Sequence, residues 1–116
     1  MATLRYYSDK KGLATTNKGV YDVVVTLCAD YDRRKKAIAV GNIDAVHLEY
    51  YKLLNETIDK SIEETVDVGI RKQMLKDIAE RVGHKKSMCL HYISPGTYKA
   101  QKREAIYFIA KNLQLI

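Results

Sequence analysis

The stretch HLEYYKLLNETIDKSI, His47 to Ile62, decides the fold. Within it His47, Tyr50, Leu54, Ile58 and Ile62 follow one another at helical steps of three and four residues, which sets them on one face of a helix. The other side carries Glu49, Lys52, Glu56, Lys60 and Glu63, with Glu56 and Lys60 in the favourable i,i+4 orientation. A helix divided in this way is stable only when other elements cover its apolar stripe.

Upstream, Val20, Val24, Leu27, Tyr31 and Ile38, with Val23 and Cys28 beside them, predict a first helix from Lys18 to about Val40. Val23-Val24-Val25 favours a strand, but no turn-bounded partner strand lies nearby. Gly41-Asn42 ends that helix, and Asn42 or Asp44 can cap the next. Downstream the pattern relaxes at Val66 to Gly69. Asp67 is then expected to cap a third helix in which Ile70, Met74, Ile78 and Val82 share a face and which Gly83 stops.

A short helical segment is expected from Lys85 to Leu90, followed by a turn at His91-Tyr92-Ile93. Ser94-Pro95 opens the last helix, because Ser is a preferred N-cap and Pro at the first helical position forfeits no hydrogen bond. Tyr98, Ala105, Ile106, Ile109 and Leu113 form its inward stripe. Residues 1–17 show little periodicity and read as a flexible N-terminal arm that ends in a helix start. The expected architecture is all-α: four to five helices with a C-terminal helix-turn-helix, in one helical domain over residues 18–116. Residues 18–66 would brace it or supply a dimer surface, and residues 70–116 would bind DNA.

The 116 residues and 13.3 kDa suffice for one modest core but not for two domains with a cleft between them. With 47% hydrophobic and 29% charged residues, the composition is that of a globular protein rather than of a disordered chain. No apolar run approaches the roughly 18 residues that cross a bilayer, and the N-terminus lacks a signal-like stretch, so the expected location is the cytoplasm, with no membrane partner. Cys28 and Cys89 form no secreted disulfide framework.

The net charge of +6 is unevenly placed. Residues 1–70 hold ten Lys/Arg against eleven Asp/Glu, whereas residues 71–116 hold ten against three. Such a concentration points to a polyanion, most often nucleic acid. No Gly-rich phosphate loop, His-Glu metal signature or recognisable nucleophile argues for an enzyme. His84, Cys89 and His91 lie close together but lack the paired short spacings of structural zinc sites, so neither metal nor cofactor is expected. The nine tyrosines are scattered over the helices, unlike a base-stacking platform.

Short C-terminal helices with basic charge suit a helix-turn-helix, in which one helix enters the major groove. Two registers compete. In one, Ile78 to Gly83 is support and turn, and Lys85 to Tyr92 is inserted. In the other, Lys85 to Leu90 supports, Tyr92-Ile93 turns the chain, and the helix opened by Ser94-Pro95 reads the DNA. The second displays the better set for phosphates and base edges: Ser94, Thr97, Lys99, Gln101, Lys102 and Arg103, flanked by Arg81, Lys85 and Lys86.

Ile93-Ser94-Pro95-Gly96-Thr97-Tyr98, followed by Lys102-Arg103-Glu104-Ala105-Ile106 and Ile109-Ala110, resembles the end of phage-encoded transcription regulators of the RinA and ArpU families. The resemblance covers about the last third of the chain and is carried by Ser94, Thr97, Tyr98, Lys102 and Ala105. It implies a DNA-binding region like that of sigma factors, with double-stranded DNA, and RNA polymerase behind it, as partners. The chain departs from the family at Lys99-Ala100, where an aromatic and then a basic residue are common. A homodimer is expected because two linked half-sites multiply affinity. The competing expectation is a small helical phage packaging or assembly protein without sequence readout.

Overall fold

The computed structural model describes residues 6–8, 14–88 and 91–116. Its helices build one core, and the fold is all-α. They are α1 (Lys18–Ala29), α2 (Tyr31–Val40), α3 (Ala45–Thr65), α4 (Arg71–Glu80) and α5 (Pro95–Asn112). Val24, Ile58, Met74, Ile78, Tyr98, Ala105, Ile109 and Ala110 are its most deeply buried members, so α1, α3, α4 and α5 all contribute.

The expected unstructured arm is corrected where it is described. Tyr6–Ser8 (β1) and Ala14–Thr16 (β2) form an antiparallel pair in the register Tyr6 to Thr16 and Ser8 to Ala14, and β2 lies against α5. Aromatic and β-branched residues suit such a pair, but three-residue strands are too short to show an alternation. Asn17 then caps α1, its side-chain oxygen accepting from the Val20 N–H at 2.9 Å. Val23, Val24 and Val25 are helical, as expected from the lack of a partner strand.

The single first helix expected to run to Val40 is two helices that break at Asp30. The break is bound up with Arg34, which lies on the apolar side between Tyr31 and Ile38. Its guanidinium donates to the Leu27 carbonyl at 2.6 Å and to Asn55 Oδ1 at 2.7 Å, and the Asn55 amide donates to the Tyr31 carbonyl at 3.2 Å. Arg34 thus takes over a carbonyl at the end of α1 and ties both helices to α3. Burial pulls its pKa below the usual arginine value, against the pull of Asp30.

Gly41 ends α2 in the left-handed conformation at φ 73°, and Asp44 rather than Asn42 caps α3 by accepting from the His47 N–H at 3.0 Å. Leu54, Ile58 and Ile62 are buried as expected, but His47 and Tyr50 are exposed, since α3 runs beyond the elements that cover it. A 3-10 turn at Val68–Ile70 precedes α4. Asp67 does not cap that helix with its side chain; instead its backbone N–H donates to Gln101 Oε1 at 3.1 Å.

Nor does Gly83 stop α4. The helix ends two residues earlier at Arg81, which is left-handed at φ 56°. That strained backbone is held from both sides: its N–H bonds the Ile78 carbonyl, and its guanidinium meets Asp22 at 3.0 Å and lies over the Tyr21 ring. Lys18 and Arg81 together hold the Asp22 carboxyl below its ordinary pKa.

Candidate nucleic-acid interface

α5 begins as its sequence dictates. Ser94 Oγ accepts from the Thr97 N–H at 3.3 Å and donates to Thr97 Oγ1 at 2.9 Å, with Pro95 at the first helical position. Ser94, Gly96, Thr97 and Lys99 are exposed there, and a Cβ built on Gly96 would meet nothing within 4 Å. The leading turn of α5 is therefore open to close approach of another molecule.

The segment before it differs from both expected registers. Among the described residues of this segment the helical part is a single 3-10 turn, His84–Lys86; Ser87 is extended and Met88 lies outside any helix. The supporting helix expected from Lys85 to Leu90 and the inserted helix expected from Lys85 to Tyr92 are both absent among the described residues; Cys89 and Leu90 lie outside them. The physical reason is Asp77, a buried carboxylate on α4. It accepts from Ser87 Oγ at 2.5 Å, from the Tyr98 hydroxyl at 2.7 Å and from the Gln73 amide at 2.8 Å. Turning Ser87 inward to reach Asp77 takes the backbone out of helical geometry.

His84 completes the junction. Its ring packs edge-on against Tyr98 with centroids 5.2 Å apart, and Nε2 lies 2.8 Å from the Ile93 carbonyl. Residues 82–87 are thus fastened to the first two turns of α5, with Tyr98 in the core as expected. Because the turn rests on α5, Lys85 and Lys86 stand exposed beside the N-terminal half of that helix. Among the described residues, neither they nor Lys99 takes part in an ion pair.

The remaining candidates are engaged within the chain. The Lys102 amine donates to the Val82 carbonyl at 2.8 Å, and burial lowers its pKa although Asp77 pulls the other way. Gln101 serves the Asp67 N–H, Arg103 is half-buried, and Arg81 is tied to Asp22 and Tyr21. The structure therefore divides the nine sequence candidates. Ser94, Thr97, Lys99, Lys85 and Lys86 share an open surface, whereas Gln101, Lys102, Arg103 and Arg81 hold the fold together to differing degrees.

Asp77 is the residue that reading for function missed. Its signal was a charged side chain three residues after Met74 and next to Ile78, in the middle of an apolar stripe. A groove of about 520 Å³ is lined by residues of α1, α2, α3 and α4, among them the cations Lys35 and Lys76 and the carboxylates Asp59 and Glu80. Among the described residues no group of three or more His, Cys, Asp or Glu side chains is placed to hold a metal ion. Among the described residues no helix is long and apolar enough to cross a membrane. No family model, curated protein or solved structure matches the chain.

Proposed function

We propose that the chain is a sequence-specific, double-stranded DNA-binding regulator of the phage RinA/ArpU type, with the leading turns of α5 entering the major groove. The observation that carries this reading is the exposure of Lys85, Lys86 and Lys99 around the open start of α5, without ion pairs among the described residues. Lysines so placed neutralise phosphates on either side of a groove, while Thr97 and the bare backbone at Gly96 come close to base edges. The connection over residues 81–94 takes the place of a tight turn, and the Asp77 network supplies the rigidity that a supporting helix supplies in a compact helix-turn-helix. Two copies acting on paired half-sites give the affinity that one helix in one groove lacks. RNA polymerase is the further partner that the sigma-factor likeness suggests.

Selection from random duplexes followed by salt titration tests the proposal. A preferred short site is expected, and replacing Lys85, Lys86 and Lys99 together by Ala should flatten the slope of log affinity against log salt by about 2.7. Binding without sequence choice would favour the packaging or assembly alternative. An unchanged slope in the triple variant would remove this surface from the interface.

A further inference from the structure

On α3, Val46, Tyr50 and Leu53 stand 78%, 55% and 59% exposed. Their spacing of four and three residues joins them in one apolar ridge, turned away from the buried Ile58 and Ile62. Beside it run Glu49, Lys52, Glu56, Lys60 and Glu63, at steps of three, four, four and three along one flank, so their charges alternate. All five are exposed, and none takes an ion pair within the chain among the described residues.

We infer that this face of α3 pairs with the same face of a second copy of the chain, the two helices antiparallel. The charge order selects the occupant. A two-fold axis perpendicular to two antiparallel helices brings like flank against like flank, with one of them read in reverse. With Glu49 to Lys60 overlapped, negative-positive-negative-positive read backwards is positive-negative-positive-negative, and Glu63 falls beyond the second copy's Glu49, opposite the first residues of its α3. Glu49 then faces Lys60 of the second copy, Lys52 faces its Glu56, and symmetry repeats both pairs. Parallel pairing would set like flanks apart and leave these charges unanswered.

In this register the helices overlap over nearly all of their 21 residues, and Leu53 sits within a turn of the axis, where burial is deepest. The inference extends the two-copy element of the proposed function by naming the surface. Its test contains no DNA, so its failure leaves duplex binding untouched, and the reverse also holds.

Sedimentation equilibrium of the full chain is expected to show a monomer–dimer equilibrium in the micromolar range. Leu53→Glu should raise the dissociation constant about a hundredfold or more, with helicity unchanged by circular dichroism because the side chain is exposed in the monomer. Lys52→Glu and Glu56→Lys should each weaken self-pairing. Mixed together they should associate preferentially, because each residue 52 then meets an opposite charge at residue 56 of the other chain. A chain that remains monomeric, a dimer indifferent to Leu53→Glu, or two charge variants that show no preference for each other would overturn the inference.

Discussion

The N-terminal half of α5 has two sides, made from one basic stretch of sequence. Outward, Thr97 and Lys99 stand in solvent beside Lys85 and Lys86. Inward, Tyr98 and Lys102 reach a junction organised by Asp77 and the Val82 carbonyl. Lys99 and Lys102 are three residues apart and identical in chemistry, yet one is available to a ligand and the other secures the chain. The difference teaches that position on the helix, rather than charge, sorts the basic residues between solvent and the fold.

The largest effect expected on that division comes from Asp77→Ala. It removes the acceptor of Tyr98, Ser87 and Gln73 at once and leaves buried donors unmet, at a cost of about 3 kcal/mol by urea denaturation. A loss below about 1 kcal/mol would show that the junction does not depend on its carboxylate.

The division between inner and outer groups extends to α1, where burial pushes the Cys28 thiol up to about 12 from its ordinary 9.0. Here the unfolded chain releases its proton above 9.0 while the folded chain keeps it, so the folded state binds more protons and stability falls as pH rises. Between pH 9 and pH 10 this costs about 1 kcal/mol, a decrement that Cys28→Ala should lack when denaturation is repeated at both values.

The smallest effects discriminate best. Lys102→Met keeps the aliphatic stem but loses the bond to Val82, and should cost about 1 kcal/mol of stability while leaving alone the salt dependence of the proposed DNA binding. Lys99→Ala should do the reverse, with stability unchanged and a salt slope shallower by about 0.9. If the two variants exchanged these behaviours, the assignment of inner and outer roles would be inverted.

Much of the fold was legible because stop and start signals coincided with changes of period. Gly41, Ser94-Pro95 and the apolar spacing of Leu54, Ile58 and Ile62 each had one physical solution, and the structure adopts it. The break at Asp30 was not legible, since the apolar repeat continues across it from Leu27 to Tyr31 and Ile38. It depends on Arg34 finding the Leu27 carbonyl and Asn55, a contact 21 residues distant in sequence. Lys102 was legible in principle. It stands four residues after Tyr98 and three before Ala105, on the inward stripe itself, but a run of basic residues reads as a solvated face unless each position is placed separately. The helix expected after Gly83 failed for a different reason: local propensity yielded to the tertiary demand of a buried carboxylate for the Ser87 hydroxyl.

The salt link from Arg81 back to Asp22 has a practical reach. An excised peptide that starts at Ser94 keeps its own cap but loses every anchor upstream, and one that starts at Arg71 still leaves the guanidinium at the end of α4 without its acid on α1. The smallest fragment able to present the leading turn of α5 in its native setting therefore begins no later than Asn17, which makes dissection of this chain by truncation a poor substitute for point substitution.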